Sequence, residues 1–230
     1  SEDLNLRLEK IPTLVEAILE MQNPDGGWGW YAGGASDDYL TALVYYGLSR
    51  VDRKVAAVDS FALQKGEAYV LHSMLSISTI NQAWQYDLLA FQYFALSGST
   101  SSLPDPTGLA AHSAKMSSWA QALLALSLEA YQPGSASVKD LVENLLATLR
   151  VTSDGAFWQE PDPIITGESV FQSMHSTRLN TAIILTVLSR LKVEDAPYPQ
   201  IIQYLLHNQS WGQAPADQPV WANSYEIYWI

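Results

Sequence analysis

The loop that best indicates the fold reads Gln22-Asn23-Pro24-Asp25-Gly26-Gly27-Trp28-Gly29-Trp30. An amphipathic helix pattern precedes it over about residues 5–21, with apolar side chains recurring at helical spacing. The apolar stretch Tyr39–Leu48 follows it. Glycine permits the positive φ that ends a helix. We expect the tryptophan after it to fill the space between neighbouring helix pairs. The acids Asp37 and Asp38 predict an N-cap for the next helix.

Similar connections recur further along the chain. They read Ser153-Asp154-Gly155-Ala156-Phe157-Trp158 and Asn208-Gln209-Ser210-Trp211-Gly212. Because aromatic residues at repeated positions usually serve packing, we interpret the loop aromatics as structural. The alternative is that exposed members form a contact patch for a partner. The residues concerned are Trp28, Trp30, Phe157, Trp158 and Trp211.

Two kinds of helix pattern alternate between these loops. Amphipathic patterns cover about residues 5–21, 60–75, 138–150 and 198–207, with a short one starting at Asp105-Pro106. Patterns that are apolar almost all round cover residues 39–48, 83–96, 119–128, 182–191 and 220–230. A helix that is apolar on every side must be buried on every side. The sequence therefore predicts an all-α fold, an α/α-toroid of about five helix hairpins with apolar inner and amphipathic outer helices. A helical solenoid is the main alternative.

The composition excludes several classes of function. The net charge is −12 and the chain has no cysteine. A surface this acidic repels phosphate backbones and anionic lipids, so we predict no nucleic-acid partner. The missing cysteines exclude disulfides, Cys-ligated zinc and a Cys nucleophile within these residues. No apolar run approaches the roughly 18 residues of a membrane span, so no membrane insertion is predicted.

The sequence offers little for a metal or cofactor. The histidines are His72, His112, His175 and His207, and none of them pairs with another histidine or a carboxylate at the spacing of a metal-binding motif. We predict neither a metal nor a cofactor.

One acidic segment could carry catalysis. Glu160, Asp162 and Glu168 follow the aromatic residues Phe157 and Trp158, and an acid pair beside aromatics is what sugar hydrolysis requires. The alternative prediction is thus a carbohydrate-active α/α-toroid enzyme, a glycoside hydrolase or lyase. The simpler interpretation is a solvated acidic loop, since acids are common in Pro-rich loops.

Two longer stretches carry a family resemblance. The first is the loop 21–30 followed by Asp38-Tyr39-Leu40-Thr41-Ala42-Leu43-Val44-Tyr45-Tyr46-Gly47-Leu48. The second is Asp154-Gly155-Ala156-Phe157-Trp158 followed by Asn180-Thr181-Ala182-Ile183-Ile184-Leu185-Thr186-Val187-Leu188. In order and spacing they resemble the thioester-containing domain of the alpha-2-macroglobulin and complement family, particularly its bacterial members. The likeness extends over nearly the whole chain.

The resemblance implies a role for a larger parent protein. In that family a Gly-Cys-x-Glu-Gln motif upstream of the first matching helix forms an internal thioester, which acylates an attacking protease after bait cleavage. This chain contains no cysteine, so the resemblance implies a fragment downstream of the thioester. Residues 1–230 would form one α/α-toroid domain, excised from a longer chain and lacking one hairpin.

The resemblance also implies partners, location and chemistry. The partners would be other domains of the parent chain and, through the parent, target proteases. The protein would be extracellular, periplasmic or on the cell surface, and a scaffold rather than an enzyme. Complement relatives carry a histidine that directs acylation to hydroxyls, and the matching stretch Glu160–Thr166 has none. We therefore predict a preference for amine targets. A thioester-less toroid that binds partners is the remaining alternative.

Overall fold

The computed structural model describes residues 2–51, 53–98, 103–159 and 176–208. Within these ranges the chain forms nine α-helices, two short 3₁₀ turns and one two-stranded β-hairpin. The all-α fold class predicted from the sequence is confirmed. Closure of the helices into a ring stays a prediction, as does the assignment of residues 1–230 to one toroid domain.

The two kinds of helix alternate as the sequence predicts. The apolar helices are α2 (Asp38–Ser49), α4 (Ala83–Leu96), α6 (Ser118–Tyr131) and α8 (Thr177–Arg190). The others are α1 (Glu2–Glu20), α3 (Ser60–Ser73), the short α5 (Thr107–Ala110), α7 (Ala136–Ala147) and α9 (Tyr198–His207). The 3₁₀ turns are Ile77–Thr79 and Ser113–Lys115. The apolar helix predicted over residues 220–230 lies outside the described part of the chain.

Short polar side chains cap the N-termini of four of these helices. Asp37, Asp59, Ser117 and Ser176 each accept a hydrogen bond from a backbone N–H two or three residues later. Such N-caps satisfy donors that have no partner inside the helix. The cap predicted for the helix after the first loop is confirmed at Asp37.

Contacts between Cα atoms divide the chain into two compact units. The first comprises Ser1–Ile80 and Phe91–Pro104. One cluster of its core forms from α1, α2 and the chain on either side of them, and the buried members of this cluster are Val15, Trp28, Leu48 and Ala56. Aromatic side chains of α2 pack on the second half of α4, with ring centroids 4.9 Å apart for Tyr39 and Phe91 and 4.7 Å apart for Tyr46 and Phe94.

The second unit comprises Asn81–Ala90 and Asp105–Ile230. In it α6 packs against α7 and α8, and α9 packs against α8 and the hairpin. The hairpin joins β1 (Arg150–Thr152) to β2 (Gly155–Phe157), with Thr152 opposite Gly155. The sequence predicts only a connection here, because strands of three residues are too short to show a period-2 pattern.

Candidate functional site

The first Asp-Gly loop buries its leading tryptophan. Trp28 is 2% exposed, and its indole Nε1 donates to the carbonyl of Ile18 at 2.7 Å. That carbonyl belongs to the last turn of α1, where helix carbonyls lack a helical partner. The backbone N–H of Trp28 donates to Oγ1 of Thr41 in α2 at 2.9 Å. Trp28 therefore links the end of one helix, through its side chain, to the start of the next, through its backbone.

The second Asp-Gly loop repeats this arrangement. Trp158 is 1% exposed, and its Nε1 donates to the carbonyl of Leu145 in the last turn of α7 at 2.7 Å. Its backbone N–H donates to Oγ1 of Thr181 in α8 at 3.2 Å. We call this buried tryptophan with its two hydrogen bonds the tryptophan anchor. Both anchors join an amphipathic helix to the apolar helix that follows it.

A glycine precedes each anchor for the same physical reason. Gly26 and Gly155 have φ of +92° and +125°, which side chains of L-residues rarely adopt. A Cβ on Gly26 would collide with the carbonyl group of Lys65 in α3. A Cβ on Gly155 would collide with the backbone of α9 at Gln200 and Tyr204. Each glycine thus lets the next amphipathic helix approach the loop closely.

Polar side chains hold the first loop in one conformation. Asn23 Nδ2 donates to the carbonyl of Gly34 and to Oγ of Ser36, both at 2.9 Å. Asp25 Oδ1 accepts from the N–H of Gly27 at 3.0 Å and from the hydroxyl of Ser36 at 2.8 Å. The amide of Gln22 donates to the carbonyls of Gly26 and Ala62. These bonds tie both ends of the loop to each other and to α3.

A smaller closed loop projects from this framework. The N–H of Asp37 donates to the carbonyl of Trp28 at 2.9 Å and closes its neck. Inside it, the N–H of Gly34 donates to the carbonyl of Tyr31 at 2.9 Å. Trp30 is 43% exposed and Tyr31 is 71% exposed. Two aromatic residues of the same loop thus have opposite positions, Trp28 inside the core and Trp30 at the surface.

Carboxylates surround Tyr69 beside this loop. Its hydroxyl donates to Oδ1 of Asp38 at 3.0 Å. Burial raises the pKa of Asp38, the hydrogen bond from Tyr69 opposes that rise, and the charge of Asp37 adds to it. The pKa of Tyr69 is raised by burial and then by the charges of Asp38, Asp25 and Asp37. The electrostatic field at this side of the first unit is therefore negative.

A buried carboxyl group in the second unit was not expected from the sequence. Asp87 of α4 is 8% exposed, and its Oδ1 accepts from the N–H of Ser117, the N-cap of α6, at 2.9 Å. Burial raises the pKa of Asp87 to about 7, although hydrogen bonds from Ser117 act to lower it. No local motif marks this pair, because 30 positions separate its members.

The structure separates the aromatic residues that the sequence groups together. Trp28 and Trp158 are buried, Trp30 is exposed, and Phe157 is half-buried with its ring stacked on Tyr204 at 4.5 Å. Trp211 and the acids of the alternative enzyme hypothesis, Glu160, Asp162 and Glu168, lie outside the described residues. The described ranges contain no group of three His, Asp or Glu side chains placed to hold a metal ion. They also contain no helix that is both long and apolar enough to cross a membrane.

The fold has clear structural neighbours. The chain matches the structure of native alpha-2-macroglobulin from Escherichia coli, spanning domain MG7 to the C-terminus, with a TM-score of 0.71 and 19% identity over 98% of this chain and 34% of that one. It matches Salmonella alpha-2-macroglobulin reacted with methylamine with a TM-score of 0.61 and 19% identity, over 84% of this chain and 12% of that one. The predicted resemblance to bacterial alpha-2-macroglobulins is confirmed as a shared fold.

A sequence comparison points the same way over a short stretch. The chain is 38% identical to alpha-2-macroglobulin of Thermotoga maritima over 53 residues, which are 23% of this chain and 4% of that protein. No family model matches the chain. The chain thus spans a minor part of the length of each of these three relatives.

Proposed function

We propose that this chain is a scaffold segment of a macroglobulin-like thioester domain, contributing to protease trapping by a longer parent protein. The observation that carries this proposal is the fold shared with Escherichia coli alpha-2-macroglobulin over 98% of the chain. The two motifs that carry the sequence resemblance are also the two tryptophan anchors. The likeness therefore rests on residues that build the fold.

The polar groups of the two loops favour a scaffold over an enzyme. Thr41 and Thr181 bind the backbone of the anchors, and the amide of Asn180 donates to the carbonyl of Trp158 at 3.0 Å. The carboxylate of Asp25 accepts hydrogen bonds from Gly27 and Ser36 of the same loop. Groups committed to internal hydrogen bonds are poorly placed for acid–base chemistry on a substrate, which needs them within reach of the reacting atoms.

The reactive bond would come from outside this chain. A thioester needs a cysteine, and none of the 230 residues is a cysteine. The parent would supply the Gly-Cys-x-Glu-Gln motif and the bait region, and this segment would support them. By the same resemblance the parent would act outside the cytoplasm, with its own other domains and target proteases as partners.

The test uses the full-length parent. We expect methylamine, which opens thioesters, to release a free thiol and to block covalent capture of trypsin. Because this chain has no cysteine, peptide mapping should place the labelled thiol outside these residues. A parent that releases no thiol and forms no covalent product with trypsin would refute the covalent mechanism. A reading frame that lacks Gly-Cys-x-Glu-Gln upstream of Ser1 would refute it as well.

The choice of nucleophile is a further part of this proposal. The segment Glu160–Thr166 has no histidine where complement relatives carry one. We expect the protease-activated parent to incorporate methylamine far more readily than glycerol, measured by mass spectrometry of the thioester peptide at equal concentrations. Equal incorporation of the two nucleophiles would contradict this expectation.

A further inference from the structure

We propose that the loop 28–37, called here the aromatic loop, is a docking site for an arginine-bearing segment of a partner protein. This inference does not depend on a thioester in the parent. It rests on three properties of the loop. These are a fixed conformation, two exposed aromatic residues at consecutive positions and several carboxylates nearby.

The aromatic loop is ordered before any partner binds. Its neck is closed by the bond from Asp37 to Trp28, and Asn23 binds both Gly34 and Ser36 across it. Compact surface loops with closed ends are frequently functional. A loop already held in one conformation loses little conformational entropy on binding, and this favours affinity.

The two exposed aromatic residues of the loop are consecutive in the sequence. Among the described residues, Trp30 and Tyr31 are the only consecutive pair of large exposed apolar side chains. A Cβ on Gly34 would lie 3.0 Å from the Tyr31 ring, so this ring rests on the loop backbone despite its 71% exposure. Aromatic residues held rigidly at a surface are typical binding hot spots.

The charges near the loop determine what it can accept. No Lys or Arg occurs from Ile11 to Ser49, a stretch with five acids, namely Glu16, Glu20, Asp25, Asp37 and Asp38. Lys65 of α3 approaches Gly26 through its backbone and Cβ, while its ammonium group lies over the ring of Phe61. The last three of the five acids raise the pKa of Tyr69, so their fields overlap beside the loop. A guanidinium stacks on aromatic faces and pairs with carboxylates, whereas an ammonium is more strongly hydrated. This combination favours arginine over lysine and repels anionic partners.

Titration of the chain with blocked peptides of alternating Arg and Gly, or Lys and Gly, tests the proposal. Affinities would be measured by isothermal titration calorimetry, and the indole N–H resonances in NMR spectra of the unsubstituted chain would locate the bound peptide. We expect the Arg peptide to shift the Trp30 resonance and to bind at least tenfold more weakly to the Trp30→Ala/Tyr31→Ala variant. The matched control is Tyr131→Ala, which removes an aromatic ring of similar exposure in the second unit and should leave the affinity unchanged.

Three results would overturn the proposal. Equal affinity of the double variant and the unsubstituted chain would show that the rings are not used. Equal loss in the Tyr131→Ala control would show that the peptide binds exposed aromatic rings in general and not this loop. Equal affinity for the Lys peptide would contradict guanidinium stacking. Because both rings are exposed, circular dichroism should show that the variants stay folded, and Trp30→Phe, which keeps an aromatic ring, should retain most of the binding.

Discussion

The two tryptophan anchors use the same bonds but stand in different surroundings. In the first, 13 positions separate Trp28 from Thr41, and the intervening chain forms the closed aromatic loop. In the second, 23 positions separate Trp158 from Thr181, and a β-hairpin precedes the tryptophan. The connection to the apolar helix therefore changes in length while the anchor does not. The anchor bonds are thus common to both copies, whereas the chain around them differs.

The largest expected effect comes from removing an anchor. Trp28→Ala and Trp158→Ala should each lower the free energy of unfolding by about 3–5 kcal/mol, because each leaves a large cavity and removes the indole hydrogen bond to a carbonyl at the end of a helix. Trp30→Ala, the control in the same loop, should change it by less than about 0.5 kcal/mol. Urea denaturation followed by circular dichroism gives all three values. If only one of the two anchor substitutions lowered the free energy of unfolding by less than about 1 kcal/mol, the two anchors would not be equivalent.

The glycines give the next effect. Gly26→Ala and Gly155→Ala should each cost about 1–3 kcal/mol, because a side chain is strained at these φ values and would meet the backbone of α3 or α9. Gly47→Ala provides the control, since it lies inside α2 with nothing within 4 Å of its Cβ position. There alanine should stabilise the chain by about 0.5–1 kcal/mol. Thermal unfolding of the three variants would test the predicted signs.

The start of α6 offers a contrast to both anchors, because it is held by the buried carboxyl of Asp87. The pKa of Asp87 is raised from 3.8 to about 7 in the folded chain, so the folded state keeps a proton that the unfolded state loses. Its contribution is fully present below pH 3.8 and is lost as the pH rises to about 7. Between pH 5 and 7 the unsubstituted chain should lose about 1–2 kcal/mol of stability.

Asp87→Asn tests that contrast, since asparagine keeps an oxygen for the N–H of Ser117 but does not titrate. We expect the pH-dependent loss to be smaller in this variant when both proteins are unfolded with urea at pH 5, 6, 7 and 8. Parallel stability curves for the two proteins would show that Asp87 is not the titrating group.

The smallest effect concerns the threonines. Thr41→Val and Thr181→Val should each cost about 1 kcal/mol, because each leaves the N–H of a buried tryptophan without its acceptor. Thr186→Val is a matched control in α8, since its hydroxyl only donates to the carbonyl of Ala182. A cost for Thr186→Val equal to that for Thr181→Val would mean that the anchor bond adds nothing beyond the loss of a hydroxyl.

Local patterns predicted where the helices lie but not every boundary, since α8 begins five residues before the predicted 182–191 and the pattern 138–150 runs past the end of α7 to Arg150 in β1. The pattern over residues 83–96 matches α4 to the residue, and that over 39–48 falls one residue short of α2 at each end. Helical periodicity and the Asp-Gly loops depend on neighbours in sequence, so they can be found without the structure. The β-hairpin was missed because its pairing involves only three residues in each strand. Asp87 was missed because its partner is distant in sequence.

By itself the sequence determined the all-α class, the alternation of apolar and amphipathic helices and the positions of the Asp-Gly loops. Only the tertiary structure decided which aromatic residues are buried, since Trp28 and Trp30 are two positions apart in one motif. The physical reason is that burial requires partners for polar groups. The carbonyl of Ile18 and the hydroxyl of Thr41 meet at Trp28, and no local pattern encodes that meeting. Trp30 was thereby left at the surface, where a partner can reach it.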